Sequence, residues 1–322
     1  MKGIVIHRTG GPEVMAWEEV PVPPLMPGTV QIRHTAIGVN FIDTYHRTGL
    51  YPLPLPAILG LEGVGVVEEV GAGVTDMRPG DRVAYPMGPG AYAEQAVLPA
   101  QSVVPLPDTV SDRTAAAIML KGMTAWYLLR RTFPLEAGQT ILFHAAAGGV
   151  GLIACQWAKE LGATVIGTVG SDEKAALAAA HGCDHPIVYR RESFADRVRE
   201  ITGGAKLPVV YDGVGKDTFE GSLDCLAPRG MLVLFGQSSG KVPPFDPGVL
   251  ASKGSLFLTR PTLQHYIARR EELLAAAREL FDVVGRGAVK VEVRHTYPLR
   301  EAATAHRDLE ARRTTGSVVL IP

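Results

Sequence analysis

The stretch with residue types and spacing best suited to chemistry is FHAAAGGVG, residues 143–151. It follows an apolar segment, QTILFHA, and opens a helical one, GVGLIACQWAKELG. Aligned on the dinucleotide fingerprint, Ala146, Gly148 and Gly151 occupy the three small-residue positions as A-x-G-x-x-G. A bare backbone at 148 lets a pyrophosphate approach, and one at 151 lets helix and strand pack closely. The helix start adds free N–H groups and the positive end of its dipole. A competing run, LGLEGVGVVEEVGAG at 59–73, leads into a strand rather than a helix, so its glycines are expected to permit bends and close packing.

The next strand end bears on which dinucleotide fits. An Asp or Glu about 20 residues beyond the fingerprint would bind a ribose 2′-hydroxyl. Here TVIGTVGSDEK places Val169 and Gly170 at that point, and Asp172 and Glu173 fall in the first turn of a helix that Ser171 caps. The missing carboxylate leaves room for a 2′-phosphate, with Lys174 near enough to supply a cation, which favours NADPH. Metal chemistry has less support. Cys155, Cys183 and Cys225 are widely spaced and read as buried thiols, and HGCDH offers only His181, Cys183 and His185.

The elements that must position these residues fall into two groups. The first hundred or so residues read as short strands separated by Gly and Pro turns, which suggests a barrel-like β domain. From Gly138 to about Phe235, apolar strands alternate with helices, the pattern of a doubly wound parallel sheet. The fold class expected is therefore α/β with an additional β domain. The tail, with a long helix from ARREELLAAARELFDVVGRG and a final strand GSVVLIP, fits either domain. A formal net charge of -1 argues against nucleic acid as the main partner. No apolar run is long enough for a membrane helix, and MKGIVIHRTGG lacks a secretory h-region, so the expected compartment is the cytoplasm.

With strand, loop and phosphate region placed, the chain resembles the medium-chain dehydrogenase/reductase superfamily, and within it the zinc-independent quinone oxidoreductases of the zeta-crystallin type. The resemblance rests on GVNFIDTYHRTGLYP (38–52), LKGMTAWYLL (120–129), HAAAGGVGLIACQWAK (144–159), VVYDGVG (209–215), LFGQSSG (234–240) and KGSLFLTRP (253–261). It implies a GroES-like domain over 1–121 and 260–322, a Rossmann domain over 122–259, and a nicotinamide held between them. It also implies a homodimer, for which Ser255 to Thr259 supply a candidate edge strand.

By the same resemblance Asn40 and Thr124 would lie near the nicotinamide and its ribose, and Gly148, Gly149 and Val150 would form the pyrophosphate loop. Gly170, Ser171, Lys174 and Tyr189 would form the 2′-phosphate pocket, with Phe235, Gly236 and Ser238 on the nicotinamide side and Arg260 a further cofactor-binding residue. Zinc-dependent relatives carry Gly-His-Glu where this chain has Gly60-Leu61-Glu62, and a ligand Cys in the motif that here begins at Asn40, so no metal is expected.

Hydride transfer requires mainly position and electrostatics from the protein. Tyr45 and Tyr51 are the candidates for the substrate pocket, since a phenol can hydrogen-bond a carbonyl oxygen as charge develops on it. Asn40 completes the candidate catalytic set. Asp43 and His46 beside them are expected to be structural. The leading expectation is an NADPH-dependent quinone reductase. An enoyl or other activated-alkene reductase is the alternative within the same chemistry. A structural or RNA-binding protein that holds NADPH without turnover is the alternative of another class.

Overall fold

The computed structural model describes residues 1–322. The chain divides into two compact units, one of Met1–Met123, Ile267–Gly285 and Val291–Pro322, the other of Thr124–Tyr266 and Arg286–Lys290. The elements up to the first crossing are β1 (Lys2–Ile6), β2 (Ala16–Glu19), β3 (Thr29–Val39), α1 (Phe41–Thr48), β4 (Ala57–Ile58), β5 (Gly63–Val70), β6 (Arg82–Tyr85), β7 (Gln95–Pro99), β8 (Val104–Pro105) and α2 (Asp112–Tyr127). The second unit continues with β9 (Thr140–Phe143), α3 (Gly149–Glu160), β10 (Thr164–Val169), α4 (Asp172–Ala180), β11 (His185–Val188), α5 (Phe194–Ile201), β12 (Leu207–Asp212) and α6 (Phe219–Asp224). It closes with β13 (Leu226–Leu234), α7 (Gly248–Ser252), β14 (Phe257–Thr259) and α8 (Leu263–Tyr266). The first unit is completed by α9 (Arg270–Gly285), β15 (Val293–Pro298), α10 (Ala302–Glu310) and β16 (Ser317–Ile321).

In the first unit β3 is the organising strand. Its inward residues Val30, Ile32, Ile37 and Val39 alternate or run together in the core, and β5, β7 and β16 all pair with it antiparallel. The main sheet runs β15-β16-β3-β5-β6-β8, and β2-β1-β4 form a smaller sheet. The glycine run at 59–73 spans β5 and the turns at its ends, and close approach explains Gly63 and Gly65 within the strand. A Cβ at Gly65 would come 2.1 Å from the Arg33 carbonyl oxygen on β3. The tail contributes its final strand to this sheet through β16, with Val319 opposite Gly38.

The second unit is a six-stranded, all-parallel sheet in the order β11-β10-β9-β12-β13-β14. Numbered from β9, that order is 3-2-1-4-5-6, and it reverses between β9 and β12, the point at which such sheets bind ligands beyond the carboxyl ends of their strands. Apolar residues fill the strands because both faces are covered. Leu142, Ile166, Ile187, Val210 and Leu232 belong to one buried cluster with Phe219 and Leu223 of α6.

Helix α1 lies where the strand-like reading of the first hundred residues has no helix. Asn40 leads into it in an extended conformation and Gly49 ends it at φ 79°. The dimer-strand expectation at 255–259 also needs shortening. Ser255 has φ 54° and Leu256 is buried, so the edge strand proper is Phe257–Thr259.

Candidate functional site

The second unit builds its site around the turn from β9 into α3. Gly148 precedes the helix in an extended conformation, and Gly149 and Val150 are the first two helical residues. A Cβ on Gly151 would lie 2.4 Å from the Ala145 carbonyl oxygen and 2.6 Å from that of Ala146, so a side chain there would collide with backbone. A Cβ on Gly148 would meet only the Ala145 oxygen, at 3.1 Å. One glycine is thus required by packing inside the fold, while the other leaves its backbone open to a ligand at a helix N-terminus. Ala145, at φ 56°, makes the bend.

Under this turn lies a buried polar chain that no sequence motif signals as a unit. His144 is fully buried, with Nδ1 2.8 Å from Thr168 Oγ1 and Nε2 2.9 Å from Ser222 Oγ. Ser222 donates to Asp212 Oδ2 at 3.1 Å, so its oxygen accepts from His144 Nε2–H, and Nδ1 accepts from the Thr168 hydroxyl. Asp212 also accepts from Thr218 Oγ1 at 2.7 Å and from the N–H groups of Val214 and Gly215 at 2.8 and 3.0 Å. Burial pulls the His144 pKa below its usual value, and the Asp212 charge opposes that only in part. The chain joins β10, β9, β12 and α6 at the reversal point, and so holds the strand ends that carry the turn. Its one sequence signal is Asp212 at the end of an apolar strand in VVYDGVG.

At the end of β10, Ser171 Oγ accepts the Lys174 N–H at 3.3 Å and caps α4 as expected. Tyr189 is 41% exposed, and its hydroxyl lies 3.2 Å from where a Gly170 Cβ would stand. Arg191 clasps Asp172 with both guanidinium nitrogens, at 2.8 and 2.5 Å, so the first acidic residue of this helix is already neutralised. Phe235 packs against Phe143 with ring centroids 5.6 Å apart. Its N–H and that of Gly236 donate to the Asp212 carbonyl, and Ser238 N–H donates to Gly213 O at 3.2 Å. Thr124 is buried, and Arg260 is exposed just beyond β14. The metal-like HGCDH does not converge. His181 Nδ1 bonds Leu177 O at 2.8 Å, while Cys183 is turned inward towards Val165 O.

In the first unit the candidate substrate residues are Tyr45, on α1, and Tyr51, just beyond the Gly49 that ends it. Tyr45 and Tyr51 meet edge to face with centroids 5.3 Å apart, and Tyr51 N–H donates to Tyr45 O at 3.1 Å. His46 lies 6.0 Å from the Tyr51 ring, and partial burial lowers its pKa, which disfavours the imidazolium. Asn40 is buried and points away from solvent, its amide donating to Glu62 Oε1 at 2.8 Å. Glu62 is fully buried and also accepts from Lys121 Nζ at 3.0 Å and from Leu120 N–H at 2.6 Å. A carboxylate held by an ammonium, an amide and a backbone N–H, with leucine beside it at 61, is a donor set for an internal ion pair rather than a zinc site.

Asp43, also fully buried, accepts Asn40 N–H at 2.8 Å and the Tyr92 hydroxyl at 3.0 Å, both on Oδ2. Tyr92 in turn meets His306 Nε2 at 3.0 Å, and His306 Nδ1 lies 3.0 Å from Arg47 Nη1. Arg47 is 1% exposed and forms a two-pronged pair with Glu310, at 3.0 and 2.6 Å. Burial, then the neighbouring Arg47, lowers His306 to about 3.

The comparisons with known proteins agree with this geometry. Residues 26–108 match the alcohol dehydrogenase GroES-like domain model, and residues 149–282 match the model described as zinc-binding dehydrogenase. The chain is 56% identical to a quinone oxidoreductase of Pseudomonas aeruginosa, covering 100% of this chain and 99% of that one. It is 50% identical to a 2-haloacrylate reductase of a Burkholderia species, covering 99% and 98%. A solved structure of Escherichia coli quinone oxidoreductase complexed with NADPH, 50% identical, superposes with a TM-score of 0.99 over the whole of both chains. A parallel sheet that reverses beside an open glycine turn, paired with a β unit of GroES-like sequence, places the chain in the quinone oxidoreductase family of the medium-chain dehydrogenase/reductase superfamily.

Proposed function

We propose that the chain is an NADPH-dependent quinone reductase that uses no metal. The observation that carries this reading is the Gly148–Gly151 turn, open to a ligand at one glycine and sealed by packing at the other, in a chain 50% identical to a quinone oxidoreductase solved with NADPH. Gly148, Gly149 and Val150 would present N–H groups to the pyrophosphate. Gly170, Ser171, Lys174 and Tyr189 would hold the adenosine 2′-phosphate, with the Lys174 ammonium meeting its charge and the exposed Tyr189 ring stacking on the base. Thr124, Phe235, Gly236, Ser238 and Arg260 would line the nicotinamide end. When bound, NADPH supplies the hydride.

The chain's own contribution is position and charge. Tyr45 and Tyr51, braced against one another, would donate hydrogen bonds to a substrate carbonyl oxygen as negative charge develops on it. Asn40 acts one step back, fixing the start of α1 through Glu62. A quinone can collect its proton from solvent, so the first unit need hold no dedicated acid. Two copies would associate along β14, the edge strand, where Phe257 is 57% exposed. Sedimentation that finds a monomer at micromolar concentration overturns that interface.

Steady-state rates with NADPH and NADH against a panel of quinones and enones test the assignment. NADPH with quinones is expected to dominate, and comparable rates with NADH would remove the 2′-phosphate pocket. The 2-haloacrylate reductase likeness favours one second reading, reduction of an activated alkene. Tyr51→Phe separates the two. A large loss with alkenes and little with quinones identifies Tyr51 as a proton donor.

A further inference from the structure

The buried chain in the first unit has a direction, and the direction is forced. Arg47 can only donate, so His306 Nδ1 accepts and its proton sits on Nε2. That Nε2–H donates to the Tyr92 oxygen, and the Tyr92 hydroxyl donates to Asp43 Oδ2. Asn40 N–H donates to the same oxygen. Asp43 Oδ1 is buried and has no hydrogen-bond partner. The chain starts at a guanidinium from α1, passes through α10, and returns to α1 one turn earlier.

We propose that Asp43 is a positioning residue for the reduction, its charge setting how firmly α1 and the Tyr45–Tyr51 pair are held, with His306 and Tyr92 tuning that charge. The inference rests on the reading of those tyrosines as the substrate side. Burial opposes Asp43 ionisation most strongly, the Asn40 N–H and Tyr92 hydroxyl favour it, Glu62 opposes it and Lys121 favours it, and together they push the carboxyl up to about 7. The orphaned Oδ1 can carry the proton without disturbing either bond to Oδ2.

Ionisation therefore acts in two directions. It turns both bonds at the start of α1 into charge-assisted ones, about twice as strong, which tightens the helix as pH rises through neutrality. It also places a charge in the core. The folded pKa lies above the ordinary carboxylate value, so Asp43 stabilises the fold fully below about pH 4, and this contribution is lost as pH rises through about 7. Local order around the tyrosines and global stability are expected to move oppositely with pH.

The test compares wild type, Asp43→Asn, Tyr92→Phe and His306→Gln. For each, kcat, kcat/KM with a quinone, and thermal midpoint are followed from about pH 5.5 to about 8.5. The amide introduced by Asp43→Asn would reproduce the neutral acid, an acceptor on one atom and a donor where the orphaned oxygen lies. Wild type is expected to show one inflection near neutrality in kcat/KM and a falling midpoint, both missing from Asp43→Asn. Tyr92→Phe removes a bond to the charged form, so the inflection moves to higher pH by about half a unit or more. His306→Gln can still accept from Arg47 and donate to Tyr92, and it keeps the wild-type profile.

An inflection that survives Asp43→Asn, or that Tyr92→Phe leaves in place, overturns the proposal. So does a uniform loss of rate with an unchanged profile, the mark of a merely structural residue. If Asp43→Asn does not fold, Tyr92→Phe decides. If no quinone is reduced, the functional reading fails by itself, and the midpoint series still tests the charge of Asp43.

Discussion

Each unit contains a buried aspartate at the end of a hydrogen-bonded chain that passes through a neutral histidine and a hydroxyl. In the second unit the order is Thr168, His144, Ser222, Asp212, and in the first it is Arg47, His306, Tyr92, Asp43. The carboxylates end differently. Asp212 accepts four hydrogen bonds shared over both oxygens, whereas Asp43 takes two on one oxygen and leaves the other bare. A buried carboxylate fully surrounded by donors acts as a fastening, because every donor depends on it. One buried with half its oxygens unsatisfied sits near its own protonation and can respond to pH. Two similar chains thus serve different ends, one holding strand ends beneath a loop and the other setting a helix.

That contrast can be broken by substitution. Asp212→Ala strands four donors at once, and a loss of at least about 3 kcal/mol is expected in urea unfolding. Asp43→Ala strands two and relieves a buried charge, so its loss at pH 7 should be smaller by about 2 kcal/mol. Equal losses would erase the distinction. Next in size is Gly151→Ala, which drives a Cβ into the backbone just above His144. About 1–3 kcal/mol of destabilisation is expected from overpacking, read by the same unfolding curves.

Ser222→Ala cuts the link between His144 and Asp212 and should cost about 1–2 kcal/mol. Its loss is expected to be nearly the same at pH 6 and 8 in thermal scans, because the remaining donors still hold Asp212, unlike the Tyr92 variant of the other chain. The smallest effect on the fold belongs to Gly148→Ala, below about 0.5 kcal/mol since only one atom stands near the new methyl. Its expected mark is on binding. NADPH should bind at least tenfold more weakly by fluorescence titration, about 1.4 kcal/mol, and undiminished binding would refute the pyrophosphate role of that turn.

Much of the second unit was legible before any coordinates. Strand, glycine turn and helix follow one another locally at 140–160, and Ser171 caps its helix through a residue three positions on. The partner of Asp172 was not legible, because Arg191 reaches it from beyond another strand. In the first unit, helix α1 was obscured because NFIDTYHRT sits in a region dominated by β-branched strands. No local pattern showed that the Asn40 amide donates to Glu62, 22 positions on. Tyr92 and His306 gave no local signal, being 214 positions apart.

By itself the sequence determined the two-part α/β design and the placing of the small-residue turn between strand and helix at 143–151. These depend on periodicity, turn chemistry and residue type within short windows, where backbone preference and side-chain pattern act together. Only the tertiary structure decided which glycine is closed by packing and which is open, and which buried carboxylate is satisfied. Both are matters of what stands within about 3 Å of an atom, and the neighbours come from strands and helices far away in the chain.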